Sequence, residues 1–335
     1  MIPPLVPSQV DSRHPVVLKD YGLFTPAAAE MADVVFVWLY NRIKGAIIYG
    51  PSQFGKTHVL TYWLRKLLSE RMGGPVPLVI WSHQDGGSSS PGMLHGKLLA
   101  ATGQGPIGQR RGTTISNQLV ERFVQIACLS SDRYVVLVID EAQSMSEREW
   151  RWLVQLHATL EGEKVQLCVI SVAAFQFNDR PRTLALTGSA HVSARFMLHD
   201  WPFRGIRTPE ELKFVLQGYD EDSEWPEGSG ISYTAGLAPQ AFAEGFRVKN
   251  YTHELWSALN TLLPANYSGP IEFPMQSITI GARQVLLKTA AAGSAWEQCT
   301  SYDAWTQAVA DTGHTRLMSL VFIPGRSSKN AQTYH

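Results

Sequence analysis

Residues Ile47-Ile48-Tyr49-Gly50-Pro51-Ser52-Gln53-Phe54-Gly55-Lys56-Thr57 decide the fold. They read as an apolar strand, a Gly-x-x-x-x-Gly-Lys-Thr loop and the first turn of a helix. Glycines at 50 and 55 let the backbone curl until successive N–H groups point inward, which makes a cradle for phosphate oxygens. The spacing assigns Lys56 to the β- and γ-phosphates and the Thr57 hydroxyl to Mg²⁺. The helix from Thr57 and His58 onward directs its positive dipole end at the same anion. Gly50, Pro51, Ser52, Gln53, Phe54, Gly55, Lys56, Thr57 and His58 form the predicted ATP cradle; a Gly-rich turn with a solvated lysine is the bland alternative.

About 80 residues further on, Tyr134-Val135-Val136-Leu137-Val138-Ile139-Asp140-Glu141 is an uninterrupted β-branched run closed by two carboxylates. Such a run fits a central parallel strand buried on both faces. Alone, an Asp-Glu pair at a strand end often caps the next helix. After a P-loop, with an α/β pair between, it becomes a Walker B pattern. Asp140 would hold the Mg²⁺ shell and Glu141 would polarise the attacking water as general base.

Outward from these motifs, the pattern predicts a helix over 27–43, strands at 46–49 and 76–81, and helices near 93–101 and 114–129. A helix at 146–160, a strand at 165–172 and a short strand at 196–198 follow. From about Arg204 only helical periodicity remains: a start at Thr208-Pro209, then 238–246, 253–263, 278–292 and 295–310. Residues 219–230 are acidic and contain Gly and Pro, as a solvated loop does. The expected domains are a Pro-rich extension (1–25), an α/β nucleotide-binding domain (26–203), a helical domain (204–312) and a polar tail (313–335).

The 335 residues are 44% hydrophobic, enough for one large or two moderate domains. Lys+Arg and Asp+Glu both number 29, so the net charge is zero and a generally basic, nucleic-acid-coating surface is excluded. Three cysteines, Cys128, Cys168 and Cys299, lack metal-ligand spacing and read as free thiols of a reducing compartment. No stretch reaches the ~20 apolar residues of a membrane span, and the start lacks a leader pattern. The expectation is a protein of the bacterial cytoplasm with no membrane attachment.

The order P-loop, Asp-Glu, further strand and helical lid resembles the AAA+ ATPases: a central parallel sheet flanked by helices, then a small helical lid. Ile139-Asp140-Glu141-Ala142-Gln143, the helix with Trp152-Leu153 and Leu156-His157, and Ala194-Arg195-Phe196-Met197 resemble the TnsC/TniB transposition regulators of Tn7-like transposons. The resemblance covers roughly residues 30–290 and implies further roles. Arg195 matches an arginine finger reaching a neighbouring subunit's γ-phosphate; a structural salt bridge is the alternative. Arg283, in Thr279-Ile280-Gly281-Ala282-Arg283, resembles sensor II, or is a solvated helix residue. Ser171 is the candidate for sensor I, although the family's clear Asn or Thr is missing. His157, Trp81 and Trp152 read as core.

In TnsC-like proteins, duplex DNA runs along the inner face of a ring or helical filament. The matching stretch here is Gly108-Gln109-Arg110-Arg111-Gly112-Thr113-Thr114, with Lys97 nearby. Paired arginines and hydroxyls at a helix start suit phosphate contacts, as against an ordinary solvated loop. Two or three cations per subunit bind weakly, but repetition around an oligomer multiplies them. The implied partners are double-stranded DNA, further copies of the chain, a TniQ-like target selector and a TnsA/TnsB-like transposase. A secretion-associated ATPase resembling ExeA, which shares Asp-Glu-Ala-Gln, and a STAND-like signalling NTPase are the alternatives.

Overall fold

The computed structural model describes residues 6–84, 86–104 and 112–321. The chain divides into two compact units, each with its own hydrophobic core. Of the described residues, one comprises those within 28–52 and 56–203, and the other those within 6–27, 53–55 and 204–321.

The first unit is built on five parallel strands: β1 (Gly45–Gly50), β2 (Leu78–Ser82), β3 (Tyr134–Asp140), β4 (Gln166–Ala174) and β5 (His199–Pro202). Their spatial order is β2-β3-β4-β1-β5. Strands β1, β3 and β4 are continuous apolar runs because helices cover both faces of a parallel sheet. The register sets Ile47 and Ile139 opposite Ser171, and Gly50 opposite Ala174. The P-loop (Walker A) and Walker B therefore both lie at the C-terminal ends of interior strands, β1 and β3, separated only by β4.

Helices Pro26–Tyr40, Pro91–Ala101, Gly112–Ala127, Glu147–Gly162, Arg180–Leu186 and Ala190–Phe196 complete this unit. After the P-loop, a helical turn Lys56–His58 passes through a π-helical segment Val59–Trp63 into the helix Leu64–Met72. Gly73 ends it in the left-handed region at φ 69°. The helix Glu147–Gly162 opens on a capping box: Ser146 accepts from the Glu149 N–H, and the Glu149 carboxylate accepts from the Ser146 N–H. A Cβ on Gly45 would lie 2.8 Å from the Phe196 Cα, so only glycine lets the last helix of the unit approach the start of β1.

Of the short strand expected at 196–198, Phe196 instead ends a helix, and Met197 and Leu198 connect it to the strand. Phe196 is fully buried, with its ring beside Trp150 and His157, and the strand proper starts at His199. An apolar Phe-Met-Leu run reads like a buried strand, whereas β5 is a sheet edge and carries largely exposed residues.

The second unit contains helices Pro209–Asp220, Tyr233–Leu237, Pro239–Ala243, Thr252–Thr261, Met275–Ala292, Tyr302–Ala310 and His314–Val321. Thr208 caps the first, its hydroxyl accepting from the Glu211 N–H. Leu212, Leu216, Leu255, Leu259, Ile278, Val285 and Trp305 form its core, joined by Val10, Val16 and Tyr21 from the N-terminal segment. That segment also carries the short helix Pro15–Leu18.

Three expectations change here. Tyr219 and Asp220 are the buried last turn of a helix rather than part of a solvated loop. The helix expected over 238–246 stops at Ala243, before Gly245 at φ 102°. The helix expected over 295–310 is a 3₁₀ segment Gly293–Cys299 and a separate helix restarted by the Ser301 cap.

Candidate nucleotide site

The site forms where β1 and β3 end. The Thr57 hydroxyl donates to Asp140 Oδ2 at 2.8 Å, joining two residues 83 positions apart in the chain. Asp140 Oδ1 accepts from the Glu141 N–H at 3.0 Å. Burial pushes the Asp140 carboxyl above its ordinary value, against the hydrogen bonds from Thr57 and the Glu141 backbone. Lys56 Nζ donates to the carbonyls of Gly50 at 2.8 Å and Pro51 at 2.7 Å. Burial brings Lys56 down to about 8, with Glu141 and Asp140 opposing that fall. The Lys56 cation and the buried Asp140 carboxylate thus share a poorly solvated pocket, where their attraction is stronger than in water, and Glu141 lies exposed beside them.

The loop backbone fits a phosphate chain. A Cβ on Gly50 would meet the Phe203 carbonyl at 2.5 Å, and Gly55 holds φ 104°, so neither position tolerates a side chain. Thr57 and Asp140 supply the two oxygens that a Mg²⁺ ion takes beside nucleotide phosphates and water. The donor set fits Mg·ATP. His58 and Ser52 are exposed. The tip Gln53–Gly55 belongs to the second unit: the Phe54 ring is buried there, and a Cβ on Gly205 would lie 2.8 Å from it. The Gln53 carbonyl accepts from the Gln276 N–H at 3.2 Å.

Glu141 is exposed and holds φ 56°, an uncommon backbone region for a residue with a side chain. Gln143 donates its amide N–H to the Glu141 carboxylate, and its Oε1 accepts from the Ala174 N–H at 3.0 Å. This glutamine ties the candidate base to the tip of β4. In the sequence it stands only as the end of the Asp-Glu-Ala-Gln run; the feature that could have singled it out is a long amide two residues past the glutamate.

The remaining candidates are spread out. Ser171 sits within β4, fully buried, its Oγ without a hydrogen-bond partner among the described residues; the strand continues to Ala174. Arg283 lies two turns inside the helix Met275–Ala292 rather than at its start, and donates to the carbonyls of Val16 at 2.9 Å and Val17 at 3.0 Å. Arg195 ends the helix Ala190–Phe196, with Nη1 3.1 Å from His157 Nδ1 and 3.6 Å from Glu161 Oε2. Glu161 also pairs with Lys44, the residue before β1, at 2.8 Å. Arg195 therefore sits at the end of the sheet where β1 begins, a six-residue strand or ~20 Å from the P-loop at the other end. Lys97 donates to the Gly87 carbonyl at 2.6 Å. Arg110 and Arg111 lie outside the described residues, and Thr113 falls in the first turn of the helix Gly112–Ala127. Among the described residues, Cys128, Cys168 and Cys299 are free, and Cys128 is exposed.

This sheet order with Walker A and Walker B at the C-terminal ends of the strands is the AAA+ P-loop NTPase fold, with a helical C-terminal region consistent with a lid. Residues 44–179 match the family model of an AAA domain. The chain is similar to the ORC2 protein of Aeropyrum pernix in its ADPNP–ADP complexes. The TM-score is 0.51 at 15% identity, over 89% of this chain and 71% of that one. The ADP form of the same protein gives a TM-score of 0.52 at 14% identity, over 86% and 68%. At such identities the likeness carries the fold alone. No curated protein matches the chain. Among the described residues, no helix is long and apolar enough to cross a membrane.

Proposed function

We propose that this protein is an ATP-hydrolysing, DNA-binding regulator of transposition of the TnsC type. It assembles on target DNA with ATP bound, joins a TniQ-like selector to a TnsA/TnsB-like transposase, and disassembles on hydrolysis. The observation that carries the catalytic half is the Thr57–Asp140 hydrogen bond beside Lys56 and Glu141. An ion held by Thr57 and Asp140 would supply positive charge against the phosphates. Lys56 would leave the Gly50 and Pro51 carbonyls for phosphate, Thr57 and Asp140 would hold the ion, and Glu141 would take the proton of the attacking water. The ~20 Å between the two ends of the sheet supports a role for Arg195 in trans, on a neighbour's nucleotide.

The transposition half rests on the sequence resemblance around Asp140–Gln143 and Ala194–Met197. Its DNA contacts are assigned to Arg110, Arg111, Thr113 and Lys97, its sensors to Ser171 and Arg283. The test is a mobility shift on duplex DNA with a non-hydrolysable ATP analogue, with ADP and without nucleotide, at several salt concentrations. The reading expects a shift with the analogue alone. It also expects a flatter salt slope for Arg110→Ala/Arg111→Ala, by ~0.9 for each phosphate that is no longer neutralised. Binding indifferent to nucleotide would overturn it.

A further inference from the structure

Arg195 is anchored at one end only. Its Nη1 meets His157 Nδ1 at 3.1 Å and Glu161 Oε2 at 3.6 Å, while Nη2 and Nε make no hydrogen bond among the described residues. The side chain is 28% exposed. A saturated structural arginine would spend its planar fork on a carboxylate; this one leaves its outer donors open. His157 is buried against Phe196, the residue after Arg195, with ring centroids 5.5 Å apart. The imidazole is thus fixed to the helix turn that carries the arginine.

The protonation state follows from donor arithmetic. A guanidinium only donates, so Nδ1 must accept and the ring proton sits on Nε2. The charges around the ring come from every side: Glu161 on its own helix, Lys44 before β1, and Arg195 on the neighbouring helix. Arg42, Asp132 and Tyr134 line the same cavity. Burial, then Arg195 and Lys44, hold the imidazole below its ordinary value against the pull of Glu161, so it is neutral near pH 7. Glu161 Oε2 waits 3.5 Å from the same Nδ1. A protonated ring would donate to Glu161 and lose Arg195.

We propose that His157 and Glu161 are positioning residues that orient Arg195 for a neighbouring subunit's nucleotide, His157 by accepting its Nη1 proton and Glu161 by steering the guanidinium and imidazole together. This rests on the trans role of Arg195 given above. The chemistry needs the outer guanidinium edge presented in a fixed direction, and misplacement by about an ångström costs up to ~100-fold in rate.

The experiment measures phosphate release by the full chain with ATP, Mg²⁺ and duplex DNA, for Arg195→Ala, His157→Leu, His157→Gln, Glu161→Gln and the double variant Arg195→Ala/His157→Leu. His157→Leu should lower kcat ~10-fold with KM for ATP within ~2-fold, since the P-loop is untouched. His157→Gln, whose amide oxygen accepts the same N–H, should recover most of that loss. Glu161→Gln should cost ~3-fold. The double variant should be no slower than Arg195→Ala alone, because a group that acts only through Arg195 has nothing left to position. Wild-type turnover should fall as His157 protonates below its ordinary titration range, and His157→Gln should lose that acid limb.

Wild-type kcat in His157→Leu, additive loss in the double variant, or an unchanged acid limb in His157→Gln each overturns the proposal. If His157→Leu fails to fold, the Gln variants and the pH profile decide alone. Full turnover in Arg195→Ala removes the trans reading and this proposal with it. Loss in Arg195→Ala beside wild-type behaviour at His157 and Glu161 removes the positioning roles only.

Discussion

The strand tips of the sheet unit and the interior of the helical unit use polar groups in opposite ways. In the sheet unit the interior of β1, β3 and β4 is almost wholly apolar, and Lys56, Thr57, Asp140 and Glu141 gather where the strands end. In the helical unit polar side chains go inward and tie remote segments together. Asp220 accepts from the N–H groups of Val248 and Lys249 and from the Thr234 hydroxyl. Tyr21 and Tyr219 share a hydroxyl hydrogen bond at 2.7 Å, and Gln9 donates to the Ala290 carbonyl at 2.6 Å. The comparison separates two kinds of cost. Removing a polar group at the strand tips should cost chemistry, and removing one inside the helical unit should cost stability.

Lys56→Ala should show the first kind most strongly. The phosphates lose a charge-assisted donor worth about 3 kcal/mol, or ~100-fold in nucleotide affinity, while the melting temperature barely moves. Titration with a fluorescent nucleotide analogue checks it, and unchanged affinity would mean that the loop binds no phosphate.

Asp220→Ala should show the second kind. It leaves the Val248 and Lys249 N–H groups without their acceptor, while the Thr234 hydroxyl keeps the Tyr219 carbonyl, for a loss of about 2–3 kcal/mol. Urea unfolding of the full chain measures this. A loss no larger than that of Lys56→Ala would erase the distinction between the units.

A smaller effect is acid sensitivity seated in the helical unit. Burial lowers His14 and His314 to about 4. His314 Nε2 donates to the Leu259 carbonyl and Nδ1 lies 3.0 Å from the Ser277 hydroxyl, but burial outweighs the carbonyl's pull and favours the neutral ring. Between about pH 6.5 and 4 the unfolded chain binds these protons and the folded chain does not. Stability should therefore fall as pH drops through that window and stop falling on this account below it. Melting curves at pH 7, 6 and 5 should show the decline, and His314→Asn should lessen it. A slope the same in that variant would locate the acid sensitivity elsewhere.

The same contrast explains how much could be read from the sequence. The parallel sheet and the Walker residues are legible because a continuous β-branched run ending in charge has few other meanings. The helix starts at Ser146 and Thr208 are visible because a capping hydroxyl is local. What escapes a sequence reading depends on distance. Nothing near His157 in sequence announces Arg195, which meets it only after the chain has made β4 and returned along another helix. Asp220 looks solvated because its neighbours are acidic, yet its partners lie 14 to 29 residues away. The partners of Arg283 escape in the same way: its guanidinium donates to the Val16 and Val17 carbonyls, 267 and 266 residues earlier in the chain.

The central claim is that the strand-tip constellation is an ATP-hydrolysing centre, and Glu141→Gln tests it most directly. With radiolabelled ATP and Mg²⁺, bound nucleotide and released phosphate are measured in one reaction. The account predicts ATP retained at wild-type affinity and phosphate release slowed at least ~100-fold, because Lys56, Thr57 and Asp140 are intact while the water has lost its base. Phosphate release at the wild-type rate by a folded, ATP-bound Glu141→Gln protein would contradict it.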